Sequence, residues 1–254
     1  MTGFTAFLRK EFEEIRKTSR MWVLPGIMLF FGLTSPILAK LTPLLLKSTT
    51  GTQSGLVIQM PDPTYVDAYR GFAQNLTQLM IIAAIIATAG IISREVRSGA
   101  AALVLVKPVS RAGMVLAKAL GQMVLLAAAG VLGGLVCWGA TAIAFGTAPL
   151  APLAAALGLW AVLAILFTAF MVLISAAMNS QAGASGIGLG AFAVLAILSA
   201  WGVTRDYTPA GLFGAIAEAA AGEPVKALWP LAASAVLTVV LLDLAVHVFR
   251  RREI

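Results

Sequence analysis

Six stretches of this chain are almost wholly apolar, and each is long enough to cross a membrane. They cover residues 22–46, 72–92, 116–145, 153–178, 184–203 and 227–249. At 1.5 Å of rise per residue, about 20 helical residues span the hydrocarbon core. Inside lipid every backbone N–H and C=O must be satisfied within the protein, so each run reads as a helix and the fold as all-α with six transmembrane helices. A soluble fold could not bury so much apolar surface: 60% of the 254 residues are hydrophobic and 11% charged, against about 25% charged in soluble domains.

Charge orients the bundle. Placing both termini in the cytoplasm gives that side thirteen bases: Arg9, Lys10, Arg16, Lys17, Arg20, Arg94, Arg97, Lys107, Arg111, Lys118 and Arg250 to Arg252. The other side receives five, Lys40, Lys47, Arg70, Arg205 and Lys226. This is the positive-inside pattern, and it accounts for the net charge of +7 through contact with anionic lipid rather than with nucleic acid.

The first 21 residues mix acids with bases and lack a cleavage-like site, so they are not read as a signal peptide. Phe4, Phe7, Leu8, Phe12 and Ile15 recur at helical spacing, with Arg9, Lys10, Glu13, Glu14, Arg16 and Lys17 on the other faces. Residues 1–21 are therefore expected to form an amphipathic interfacial helix with its aromatic side in the acyl boundary. Residues 22–254 form the six-span region, with external segments at 47–71 and 204–226 and a cytoplasmic loop at 93–118.

Several positions within this layout carry specific expectations. Pro36 is expected to kink the first span, with Lys40 near the far interface. Tyr65 and Tyr69 read as interfacial anchors, and Asn75, Thr77 and Gln78 as interhelical glue or the lining of a path. Gly130 with Gly134, and Gly186 with Gly190, have the small-xxx-small spacing of close-packed helices. Residues 209–221 are apolar but too short to span, which fits a re-entrant or interfacial helix. The single cysteine, Cys137, lies in an apolar run and reads as core.

Motifs for enzymatic work are missing. The chain contains no G-x-x-x-x-G-K-[ST], H-E-x-x-H, C-x-x-C or G-x-S-x-G sequence, and His247 is its only histidine. No catalytic, cofactor-binding or metal-ligating set is therefore expected within one chain. Such a protein uses an ion gradient, runs downhill or takes work from a partner.

The loop at 93–118 points to the last of these. It runs Ser93-Arg94-Glu95, then Arg97 and Gly99, an apolar stretch from Ala100 to Val106, and Lys107-Pro108-Val109-Ser110-Arg111 ahead of the third span. This order resembles that of type-2 ATP-binding-cassette (ABC) transporter permeases, an exporter family. There an acid and a glycine follow the second span and a proline-x-Ser-Arg element precedes the third. The matching residues here are Glu95, Gly99, Pro108, Ser110 and Arg111; Ala100 stands where the family often has threonine.

The resemblance implies that Arg94, Glu95, Arg97, Gly99, Pro108, Ser110 and Arg111 couple the chain to a separate cytoplasmic ATPase. It also implies that ATP and Mg are bound by that partner, in two copies, and that this chain holds no cofactor of its own. A second permease, identical or homologous, would complete the assembly in the inner (plasma) membrane. A short helix between Gly99 and Pro108 would be a lever with defined ends. The apolar spans suit an amphipathic or lipid-like cargo.

Asp243 and His247 stand four residues apart on the last span and share a helix face. One reading is a structural ion pair with each other, Lys118 or an arginine; the other is proton coupling in a secondary transporter. A third function class, a membrane subunit that passes mechanical work from an ATPase to an extracytoplasmic partner, would use the same loop.

Overall fold

The computed structural model describes residues 3–50, 62–98 and 110–252. All regular elements among them are helical: α1 (Gly3–Lys17), α2 (Arg20–Thr50), α3 (Tyr65–Asn75), a π-helical turn (Leu76–Met80), α4 (Ile81–Thr88), α5 (Ser93–Arg97), α6 (Arg111–Phe145), α7 (Leu150–Ala177), α8 (Gln181–Leu198), α9 (Gly202–Tyr207), α10 (Gly211–Ala220) and α11 (Leu228–Arg251). Six spans result, carried by α2, the unit Tyr65–Arg97, α6, α7, α8 and α11. They match the six apolar runs with shifted ends. Polar flanks extend the helices past the hydrocarbon: α2 reaches Thr50, the second span begins at Tyr65, and the fifth ends at Leu198 before a turn into α9.

Glycine sets the helix spacing at the centre. A Cβ on Gly32 of α2 would lie 2.4 Å from the Gly133 carbonyl of α6, and one on Gly133 would lie 2.8 Å from the Met28 carbonyl. The two backbones meet because neither side carries a side chain there. On the next face of α6, Gly130 makes room for the ring of Trp160 and Gly134 for Leu157, as their spacing predicts. Trp160, buried in α7, donates its indole N–H to the Leu76 carbonyl at 2.9 Å, so the π-helical turn is tied to the fourth span.

The other glycine pair behaves differently. Nothing lies within 4 Å of a Cβ built on Gly186 or Gly190, whereas Gly188 packs on Met171 and Ile85. Helix α8 is docked through Gly188, and the predicted small-residue face looks away from the bundle. Tyr69 is fully buried and stacks edge-on with Tyr65 at 5.7 Å, so it is core rather than an interfacial anchor. The α-helical assignment of α2 runs unbroken through Pro25, Pro36 and Pro43.

Polar side chains close the helix ends opposite α1. Lys40 donates to the Ala144 carbonyl at 2.8 Å in the last turn of α6, where a cation also meets the negative end of the helix dipole. Gly146 then takes φ +72°, the left-handed conformation that stops the helix. Asn75 donates to the Ser35 hydroxyl at 3.1 Å, joining the first two spans as interhelical glue. Helix α10 packs its buried Leu212, Ile216 and Ala219 into the core beneath the loops and does not span, as expected for residues 209–221. Arg205 of α9 bridges to Glu218 of α10, and Arg70 to Glu223 at 2.6 Å.

Candidate functional site

Lys10, Arg94, Arg111, Lys118 and Arg252, which the charge count places on one side, meet at one end of the bundle, and a buried ionic junction forms there. Lys118, in the second turn of α6, is 2% exposed. Its ammonium donates to both carboxylate oxygens of Glu11, at 2.9 and 3.0 Å, and to Glu95 Oε1 at 2.8 Å. Three separate pieces of chain, α1, α5 and α6, thus converge on one nitrogen. Lys10 adds a second cation, 3.0 Å from Glu14, 3.4 Å from Glu95 and 3.6 Å from Glu11.

Helix α1 can reach this junction because it docks on the bundle through its apolar face. Phe7 is buried in an apolar cluster with Ile92, Met114, Val115 and Phe249, and Phe4 and Leu8 pack against it. Glu11 follows Phe7 by one turn and is 4% exposed, so it lies on the apolar face of α1 and aims into the bundle. Burial pushes the Glu11 carboxyl above its ordinary value of 4.5, with Lys118 opposing and the neighbouring Glu95 and Glu14 adding to the rise. For Glu14, burial acts the same way, but Lys118, Lys10 and Arg20 outweigh it and hold the carboxyl below its ordinary value. Burial lowers the Lys10 ammonium, and the surrounding Glu14, Glu95 and Glu11 more than offset this, so it is raised.

Beside the junction is a chamber of about 100 Å³, lined among others by Arg20, Arg94 and Gln122. Both polar atoms of Gln122 and the Oε2 of Glu95 are buried without a hydrogen-bond partner among the described residues. A polar chamber of that volume has room for several water molecules. Carboxylate oxygens of Glu11, Glu14 and Glu95 lie within 4.8 Å of one another, a spacing that could hold a metal ion. The ammonium groups of Lys118 and Lys10 already supply positive charge at that point.

The remaining loop residues divide sharply. Gly99, Pro108 and the stretch between them lie outside the described residues. At the near end, the Ser175 hydroxyl of α7 accepts the N–H groups of Ile92 and Ser93, at 3.0 and 3.2 Å, fixing where α5 starts. Arg94 donates to Gln181 of α8 at 2.9 Å. At the far end, Ser110 is the N-cap of α6 and accepts from Gly113 N–H at 3.0 Å. Arg111 donates to the Arg250 and Arg252 carbonyls at 2.7 and 2.9 Å, so it caps the last span. Arg252 in turn donates to the Ala176 carbonyl at 2.6 Å and to Asn179. Arg97 alone of the described loop charges is exposed with no hydrogen bond or ion pair to a described residue.

Asp243 and His247 are both exposed on α11 and have no ion pair or hydrogen bond among the described residues. The expected pairing with each other, Lys118 or an arginine is not formed: Lys118 is fully engaged by Glu11 and Glu95, Arg94 donates to Gln181, and Arg111 and Arg252 donate to backbone carbonyls.

Six helices long and apolar enough to cross a membrane, with the ends of the connecting loop tied to the spans by ionic and capping contacts, define a multi-pass membrane protein. The family described as ABC-2 family transporter protein matches residues 5–204. The chain belongs to that family, and is a transport permease. Members of the family generally work with an ATP-binding-cassette ATPase. No curated protein matches the sequence.

Proposed function

We propose that this chain is the permease subunit of an ATP-driven exporter in the inner (plasma) membrane, with both termini and the basic end in the cytoplasm. A separate ATPase docks on the 93–118 loop; it, and not this chain, holds ATP and Mg and performs hydrolysis. Two ATPases and two permeases form the working unit. The observation that carries this reading is the way the loop is fastened. Displacement of α5 acts on α7 through Ser175, on α8 through Arg94 and Gln181, and on α6 and α1 through the Lys118 junction. At the other end, Arg111 passes motion to α11.

A lever held this way distributes one push over four spans, which supports re-packing of the bundle between two discrete arrangements. Exposed Arg97 belongs to the surface offered to the ATPase. The test is a mild-detergent pull-down of the tagged chain followed by ATPase assay of what co-purifies. A stoichiometric ATPase whose activity loses its dependence on the permease in Glu95→Ala and Arg111→Ala supports the reading. Transport without any ATPase, abolished by Asp243→Asn, would instead support a proton-coupled secondary transporter.

A further inference from the structure

On the opposite half of the bundle, a groove of about 620 Å³ opens between α3, the π-helical turn, α8 and α10. That volume lies within the range of pockets that bury a small ligand, about 300–1,000 Å³. Its two walls differ in chemistry. One carries Gln74, Thr77 and Gln78; the other carries Ala196 and the aromatic row of Phe192 and Phe213, with ring centroids 5.8 Å apart.

The amides are the unusual element. Gln74 and Gln78 are exposed, belong to a membrane-spanning unit and have no side-chain hydrogen bond to any described residue. Counted from Phe72, where the apolar run begins, they lie roughly 3 and 9 Å along the helix, in the outer part of the span. A primary amide left unpaired against hydrocarbon is costly. Thr77 is already satisfied by the Ala73 carbonyl at 3.0 Å, so the unused capacity is that of the two amides, each able to donate twice and accept. Arg70, at the mouth, is neutralised by Glu223 at 2.6 Å, so the groove offers no free charge to a charged ligand.

We propose that this groove is a binding site for an amphiphile with an uncharged, hydroxyl- or amide-bearing head and an acyl or alkyl tail. The head exchanges hydrogen bonds with Gln74 and Gln78, and the tail lies along Leu79, Ile82 and Phe192. A charged head would lose hydration without meeting an opposite charge. As the class of cargo, this rests on the permease reading; as a binding site, it stands without ATP or a partner.

The test uses the purified full chain in phosphatidylcholine nanodiscs, with no ATPase present. Three photoreactive hexadecyl probes that differ only in the head, glucoside, phosphate and trimethylammonium, are crosslinked and mapped by mass spectrometry. The glucoside is expected to label the stretch around Leu79 and Ile82, with the two charged probes at least tenfold weaker there. The double variant Gln74→Leu, Gln78→Leu, apolar and therefore compatible with the span, is expected to reduce that labelling by about tenfold or more, two hydrogen bonds at about 1 kcal/mol each. Labelling elsewhere on the chain serves as the folding control. Equal labelling by all three heads, or no change in the double variant, overturns the proposal. So does a shift of the double variant from dimer to monomer with no glucoside labelling in the wild type, which assigns the groove to a second copy of the chain. Failure of ATPase coupling alongside normal glucoside labelling would refute the exporter reading and leave the site standing.

Discussion

Replacing Lys118 by methionine keeps an unbranched stem of similar reach and removes the buried charge that Glu11 and Glu95 share. In the native protein the ammonium lies 2.8–3.0 Å from both carboxylates at 2% exposure. Breaking a buried ion pair from one side costs about 3–5 kcal/mol, because the remaining charge is left without a counter-ion. Here two acids are left, but Lys10 stays 3.4–3.6 Å from both and the adjoining polar chamber can admit water, so the lower figure of about 3 kcal/mol applies. The loss falls on the docking of α1, which otherwise relies on Phe7 and its half-buried neighbours. At about 1.4 kcal/mol per decade, opening of α1 becomes roughly a hundredfold more frequent. Hydrogen–deuterium exchange of the full chain in nanodiscs reads this directly, as faster exchange over Gly3–Lys17 with unchanged protection in α7. Lys118→Met combined with Glu11→Gln removes one orphaned charge and should recover about half of the effect. Wild-type protection of α1 in Lys118→Met, or a double variant worse than the single, would refute the assignment of Lys118 as the clamp.

Gly32→Ala places a Cβ 2.4 Å from the Gly133 carbonyl and should cost about 1–3 kcal/mol, read as a lowered melting midpoint by tryptophan fluorescence, whereas Gly139→Ala, with nothing within 4 Å, should leave the midpoint within error. Arg111→Ala removes two charge-assisted hydrogen bonds from the carbonyls of α11 and should raise exchange in its last turn as well as uncouple; Arg97→Ala, exposed and unpartnered among the described residues, should weaken ATPase capture with no change in exchange. The pH dependence of α1 docking has two opposed parts. Glu11 is raised by burial, so its cost is complete above its folded pKa and absent below the unfolded value of about 4.5; Glu14 is lowered by its basic neighbours, so its contribution is present above the unfolded value and lost as pH falls through the folded one. Protection of α1 should therefore rise as pH falls from 7 toward about 4.5 and decline below it, and Glu11→Gln should abolish the rise.

The spans were legible in the sequence because lipid imposes a length and an apolar content that few other structures need. The non-spanning α10 was legible for the same reason, being apolar but too short. Partners were legible only where they are local. Ser110 reads as a helix cap from its place before an apolar run, but nothing about Arg111 identifies the carbonyls of a helix end 139 residues away as its target. The junction at Lys118 left two faint marks that composition alone conceals: Glu11 falls on the apolar stripe between Phe7 and Ile15, and Lys118 falls inside the third apolar run. Each is an ionisable residue at a position that calls for an apolar one, which is the pattern of a buried pair. Tyr69 and the Gly186–Gly190 face failed for a common reason. Residue type and spacing show that a helix face is aromatic or small, but not whether that face turns inward; for α8 it is Gly188, against Met171 and Ile85, that faces the bundle.

Why a permease should use a buried lysine there at all follows from what the junction must do. An apolar substitute of similar volume would hold α1 to α6 as well or better, since buried ion pairs seldom outperform good packing. Apolar packing, however, tolerates sliding, whereas one ammonium shared by carboxylates on two other elements fixes their register. The Glu95 side chain is 12% exposed and that of Glu11 5%, so the arm to the loop is the one nearer water and the easier to exchange. Motion of α5 would then transfer Glu95 between Lys118 and Lys10, already 3.4 Å away, while Glu11 keeps α1 in place. Under the exporter reading proposed above, a junction with one tight and one exchangeable arm would let the loop take two positions without undocking the helix that anchors it, a requirement that packing alone does not meet.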